Sequence, residues 1–199
     1  MNPIDISDDK NLEAIAAWVP NGARVLDLGC GDGRLLDLLH KRKGCRGYGV
    51  DINDANVLAC ARRGVDVLQF NLDEGLSMFA DQSFDVVLQV DTLQHLRNAR
   101  VMLSETVRVG RSGIVAFPNF GHWPNRMAVL GGRMPVNDRL PYEWYDTPNI
   151  RVGTFHDFQA LANELGLRVE QACGLHRGQV RTFWPNALAS TALFKVSAH

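Results

Sequence analysis

Val25-Leu26-Asp27-Leu28-Gly29-Cys30-Gly31-Asp32-Gly33 is the stretch that decides the fold. A short apolar run meets an acid, and three glycines then fall at alternate positions. An apolar-periodic segment, Arg34 to Lys43, follows directly. A strand that turns through glycines into a helix lets the backbone touch a ligand, because no side chain stands in the way. The dinucleotide fingerprint G-x-G-x-x-G is not met, since its third glycine position holds Arg34. The pattern present is D-x-G-x-G-x-G, with the acid ahead of the first glycine.

That acid selects the ligand. A pyrophosphate is an anion and wants backbone N–H groups and a helix N-terminus. Asp27 at the mouth of the loop opposes an anion and favours a cation. S-adenosylmethionine carries a sulfonium and an ammonium, and Asp27 would orient that end directly or through water. A second strand, Gly47-Tyr48-Gly49-Val50-Asp51, ends in a carboxylate placed to accept both hydroxyls of a ribose. A lone glycine loop is a weak signal, and Asp27 could serve only as a helix cap. The order strand, acid, glycines, helix, second strand, second acid favours the nucleoside site. In that order and spacing the N-terminal half resembles the class I S-adenosylmethionine-dependent methyltransferases.

The totals narrow the field. The chain has 199 residues, 46% of them apolar, which suits one domain with a sizeable core, expected to span 1–199. Net charge is −1 with no basic stripe, which argues against nucleic acid as a partner. No run approaches the roughly 18 apolar residues of a membrane span. Met1 to Asp5 lacks a basic region followed by an apolar run, so no secretory signal is read there. Cys30, Cys45, Cys60 and Cys173 contain no C-x-x-C pair, and read as reduced thiols of a cytoplasmic protein. Cys30 reads as a small filler of the glycine loop in preference to a nucleophile. No cluster has metal-ligand spacing.

Strands alternate with helices along the chain. A leader helix carries Leu12, Ile15, Ala16 and Val19, with Ser7 as N-cap, and ends at Pro20-Asn21-Gly22. Strands are expected at 23–28, 46–50, 65–70, 84–90 and 113–117, with helices between them stopped by Gly44, Gly64 and Gly110. A short helix is expected over 76–79. Such alternation predicts a three-layer α/β fold with a mostly parallel sheet. Residues 119–153 break the rhythm with Pro124, Pro135, Pro141 and Pro148 and several aromatics, and read as an inserted loop region with one short helix near 125–130. Thr154 and Asp157 form a capping pair for a last helix, and strands follow at 167–172 and 189–196.

Ligands of an open α/β sheet bind beyond the carboxyl ends of its strands. After the third strand comes Asn71-Leu72-Asp73, where the methyltransferase class usually places a carboxylate for the adenine amino group. Asn71 offers an uncharged amide oxygen instead, and a turn or cap role is an equal alternative. After the fourth strand comes Val90-Asp91-Thr92-Leu93-Gln94-His95. His95 is a weak candidate for a general base, with a structural role in the turn favoured over it.

The most specific stretches lie further on: Phe117-Pro118-Asn119-Phe120-Gly121-His122-Trp123, Gly131-Gly132-Arg133-Met134-Pro135, and Leu140-Pro141-Tyr142-Glu143-Trp144-Tyr145-Asp146-Thr147-Pro148-Asn149-Ile150. With Thr92-Leu93-Gln94 and Leu72-Asp73-Glu74-Gly75-Leu76 they resemble the methionine biosynthesis protein MetW family over nearly the whole chain. The resemblance implies a Rossmann-like class I methyltransferase fold, with a seven-stranded sheet whose last strand is antiparallel. It places S-adenosylmethionine or S-adenosylhomocysteine against Asp27, Gly29, Cys30, Gly31, Gly33, Asp51, Ile52, Asn71, Leu72 and Val90. It further implies a partnership with the homoserine acyltransferase MetX, and no methyl acceptor is established for the family. Two roles follow: an accessory, regulatory subunit of MetX, or a methyltransferase acting on a small acceptor. The aromatics of 140–150 fit three places, packed on the core, in an interface, or over an acceptor.

Overall fold

A computed structural model describes residues 6–199, with side chains from Lys10 onward. The expected Ser7 cap lies outside the described side chains. Five strands, β1 (Arg24–Leu28), β2 (Arg46–Asp51), β3 (Val67–Gln69), β4 (Phe84–Val90) and β5 (Gly110–Pro118), run parallel. β6 (Leu167–His176), β7 (Gln179–Arg181) and β8 (Thr191–Ala198) complete one sheet of order β3-β2-β1-β4-β5-β8-β6-β7. β8 is antiparallel to both its neighbours, as expected of the last strand.

The sheet therefore has eight strands, one more than the seven expected. The additional β7 arises from a tight hairpin at Arg177-Gly178, both with positive φ (50° and 75°). That geometry matches the right-handed twist of paired strands, but Arg-Gly is a poor sequence signal for it. β3 is shorter than the expected 65–70, and no helix forms over 76–79, where a simple turn closes through Phe79 N–H to the Leu76 carbonyl.

Helices α1 (Ile6–Ala17), α2 (Arg34–Lys43) and α3 (Asp54–Arg63) connect the first strands. Gly44 and Gly64 end α2 and α3 in the left-handed conformation, and Asn53 caps α3 by accepting from Ala55 and Asn56 N–H. α4 (Ala99–Val109) leads into β5. α5 (Trp123–Leu130) falls within 119–153, α6 (Phe155–Glu164) opens with the expected Thr154/Asp157 capping box, and α7 (Pro185–Leu188) is a single turn.

Alternation along β1 divides the core. Val25 packs with Ile15, Leu35 and Leu39 of α1 and α2, whereas Leu26 and Leu28 pack with Phe84, Met102 and Val109 on the other side. A third cluster joins α4 and α6 to β5 and β8 through Leu103, Phe155, Phe158 and Phe194. Among the described residues, no helix is long and apolar enough to cross a membrane.

A buried amide anchors the start of the inserted segment. Asn119 is buried, donates from Nδ2 to the carbonyls of Asn186 (3.0 Å) and Ala189 (2.8 Å), and accepts at Oδ1 from Gly121 and Phe155 N–H. It ties the end of β5 to α6 and α7. Asn119→Ala strands these backbone groups in the interior, so chemical denaturation should show a loss of about 3 kcal/mol of stability.

Candidate functional site

The switch point of the sheet lies between β1 and β4, which pair while their following segments run to opposite sides. There the glycine loop is stapled to the end of β2. Gly29 and Cys30 N–H both donate to the Val50 carbonyl (2.7 and 3.1 Å), and Gly31 N–H donates to Asp51 Oδ2 (2.9 Å). Each loop glycine answers a different demand. A Cβ on Gly29 would lie 2.4 Å from Thr92 Oγ1, so only glycine lets the loop seat against the segment after β4. A Cβ on Gly31 would meet nothing within 4 Å, since that residue faces the cleft. Gly33 caps α2 in the left-handed conformation, where a Cβ would press on Cys60 and Val65.

A cleft of about 420 Å³ opens over this loop, lined by Asp27, Gly29, Cys30, Gly31, Val90 and Asp91 among others, with Leu12 of α1 on its far wall. Asp27 is only 2% exposed, and its Oδ1 has no hydrogen-bond partner among the described residues. Burial, and then the neighbouring Asp51 carboxylate, push its pKa up to about 7. A buried carboxylate with an unused oxygen, set in a cleft, is a receptor for a cation or a hydrogen-bond donor.

Asp51 is in the opposite condition. Its oxygens accept from Gly31 and Asn53 N–H (2.9 Å each) and from Asn56 Nδ2, which lies 3.1 Å from both. The Asn56 amide thus occupies the two-oxygen position that a vicinal diol would take. Ile52 beside it is 62% exposed, an apolar side chain at the rim.

Asn71 and Leu72 are not among the residues that line this cleft. Asn71 Oδ1 accepts from Asp73 N–H at the end of β3, the capping geometry, and Leu72 is buried in the core with Phe79 and Phe84. Cys30 and Cys60 lie side by side with sulfurs 3.8 Å apart, and burial pushes both thiols up. His95 places Nδ1 3.1 Å from the Pro148 carbonyl, pinning the inserted segment beside the Gln94 carbonyl that accepts from Ile150 and Arg151 N–H. The aromatics of 140–150 do not pack on the core, since Trp144 and Tyr145 are both 70% exposed.

Three further residues, Asp91, Arg139 and Asn56, shape the site beside those the sequence singled out. Asp91 follows β4 with φ +54°, a left-handed conformation uncommon outside glycine. Arg139 reaches across from the inserted segment and donates from Nη2 to Asp91 Oδ1 (2.5 Å) and Oδ2 (2.7 Å). Asn56 covers Asp51 from the first turn of α3, a reach that its place five residues beyond Asp51 would have allowed.

Solved structures share this architecture. A methyltransferase of Archaeoglobus fulgidus, described as dependent on S-adenosylmethionine, aligns over 96% of this chain and 93% of its own, with a TM-score of 0.69 at 17% identity. Magnesium protoporphyrin IX methyltransferase of Synechocystis, with bound S-adenosylhomocysteine, aligns over 98% and 84%, with a TM-score of 0.67 at 17% identity. The chain thus has the Rossmann-like fold of class I S-adenosylmethionine-dependent methyltransferases. Within that class it belongs to the MetW family: the family's sequence profile, described as methionine biosynthesis protein MetW, matches residues 9–196. The bifunctional methionine biosynthesis protein MetXA/MetW of Rhodopirellula baltica is 37% identical over 85% of the chain. The 2-methyl-6-phytyl-1,4-hydroquinone methyltransferase of a Synechocystis strain is 30% identical over 86%. The matched region spans 29% of the first relative and 54% of the second.

The glycine geometry makes a differential prediction. Gly29 and Gly31 both have positive φ, but only Gly29 lacks room for a methyl group. Gly31→Ala should cost about 1 kcal/mol from backbone strain. Gly29→Ala should cost about 3 kcal/mol, since overpacking is added. Thr92→Ala in the Gly29→Ala background should recover part of that loss in urea denaturation.

Proposed function

We propose that this protein binds S-adenosylmethionine in the cleft at the end of β1 and serves methionine biosynthesis as an accessory, regulatory subunit of the acyltransferase MetX. The observation that carries the cofactor half is Asp27, a buried carboxylate with an unused oxygen in a cleft floored by glycine backbone. That donor set fits a ligand with a positive end. Asp27 would hold the cationic end and Asp51 the ribose, while Ile52 would offer an apolar face to the base. Bound there, S-adenosylmethionine supplies an electrophilic methyl group on sulfur. The partnership half draws on the Rhodopirellula relative, whose name joins MetXA and MetW in one chain. Arg139 supports a regulatory role, because it links the inserted segment to Asp91 on the wall of the same cleft.

A second reading, a methyltransferase acting on a small acceptor, is favoured by a separate cavity of about 170 Å³ beyond the ends of β4 and β5. Leu93, Phe117, Pro118 and Leu140 line it, with Gln94. Gln94 Oε1 is buried with no partner among the described residues. Labelled methyl donor incubated with the protein and cell metabolites separates the readings. Donor-dependent product that Asp51→Ala abolishes supports the enzyme, whereas co-elution with MetX and no turnover supports the subunit.

The site residues predict a pH dependence. Asp27 holds its proton up to about pH 7 in the folded protein, whereas an unfolded carboxyl ionises near pH 4. The folded state therefore binds more protons between those values, and Asp27 makes stability fall as pH rises through that window. A cation beside Asp27 favours the carboxylate, so binding expels the proton below pH 7. Calorimetric affinity for S-adenosylmethionine should weaken as pH falls from 7 toward 5.5, approaching about tenfold per pH unit, and Asp27→Asn should flatten the profile.

Asn56 and Asp51 should respond in opposite directions. Asp51→Ala removes the ribose acceptor and should lose at least about tenfold in affinity, the scale of one charged hydrogen bond. Asn56→Ala removes the amide from both Asp51 oxygens, which keep their bonds from Gly31 and Asn53 N–H, and should bind as tightly as the parent or more so. Weaker binding by Asn56→Ala in the same titration would show that the ribose does not replace the amide.

A further inference from the structure

α5 is turned inside out. Its inward residue Asn125 is 3% exposed and fully engaged, donating to the Asn119 carbonyl (3.1 Å) and accepting from Asn137 Nδ2 (2.8 Å). Its outward residues are apolar: Trp123, Met127 and Leu130, spaced i, i+4, i+7, are 56%, 57% and 79% exposed. A helix of a globular protein normally turns such a stripe to the core. The stripe continues across a groove of about 810 Å³ whose walls include Met127, Met134, Val136 and Trp144. Trp144 and Tyr145 pack edge to face with ring centres 5.7 Å apart.

The groove is preorganised. Asn137 holds its floor to Asn125, Arg139 ties the strand of chain behind it to Asp91, and the Gln94 carbonyl fixes Ile150 and Arg151. A rigid apolar face forgoes little conformational entropy when a partner covers it. Large aromatics beside a methionine-rich wall are the composition of an interface centre. The surrounding charges have both signs, Arg126 and Arg133 against Asp138, Glu143 and Asp146. A mixed rim suits a protein surface, whereas an anionic membrane surface draws basic residues alone.

We infer that the outer face of α5, continued by Met134, Val136 and Trp144, is the surface on which the acyltransferase MetX docks. This rests on the accessory-subunit reading above. The choice of occupant comes from the relative in which the MetXA and MetW names share one polypeptide, since fusion keeps the two units within reach of each other. The segment that builds this face also carries Arg139, so a partner seated there contacts the chain that closes on the cofactor cleft.

The test titrates MetX with the parent protein and with Leu130→Glu and Trp144→Glu, following complex formation by calorimetry and gel filtration. Both side chains are exposed, so both variants should keep the parent melting temperature. Each should weaken MetX binding at least tenfold, while Val101→Glu, at a half-exposed apolar site on α4, binds like the parent. If the parent forms the complex and both variants bind equally well, the docking face is wrong and the accessory reading stands. If the parent forms no complex with MetX, both fall. If the parent instead self-associates and Leu130→Glu makes it monomeric, the face joins two copies of this chain and the proposal is overturned.

Discussion

Three hydrogen bonds donated by backbone N–H groups hold the molecule's chemistry in place: Gly29 and Cys30 to the Val50 carbonyl, and Gly31 to the Asp51 carboxylate. They draw the turn after β1 onto the end of β2. The approach is possible only because glycine at 29 leaves space for Thr92, whose hydroxyl donates to the Leu28 carbonyl (2.7 Å) and locks the far side. Held from both sides, the loop can keep Asp27 buried at the centre of the sheet. An ionised carboxylate in that position is costly, and its raised pKa is how the cost appears. The strain lies where a positively charged ligand would relieve it.

Asp27, Asp51 and the glycines were legible in the sequence because strand ends and backbone turns leave strong local marks. So were the cap at Thr154 and the stops at Gly44 and Gly64. The family too was legible, in the proline and aromatic runs of 117–150. What could not be read depended on contacts between distant segments. Nothing near Arg139 announces a partner 48 residues earlier at Asp91. The hairpin at Arg177-Gly178 uses a left-handed arginine, which propensity disfavours and tertiary pairing enforces. The short helix expected at 76–79 gave way because Leu76 and Phe79 are drawn into the core under Phe84. Trp144 and Tyr145 carried an ambiguous signal, since core and interface choose the same residue types.

The inserted segment is built to a different rule from the rest. Elsewhere apolar faces point to the sheet and polar faces to water. Around Asn119 and Asn125 the interior is a web of amides, and the apolar groups point outward. Amide webs fix position through direction and distance, whereas apolar packing tolerates sliding. The segment is thereby registered on the rest of the fold through Asn119, Arg139 and Arg151, and its outer surface is released from any duty to stabilise the fold.

The sheet's margins have a consequence of their own. β3 and β7, the two outermost strands, are three residues each. Beyond β7 the open stretch of β6 carries Arg168 and Glu170, and its pairing with β8 on the other side shifts register between Val169 and Gln171. Short, kinked and charged borders offer no template along which another chain could zip its backbone. Crowded copies of this protein are therefore protected from fibre-like stacking, and association is left to side chains, where it can be selective.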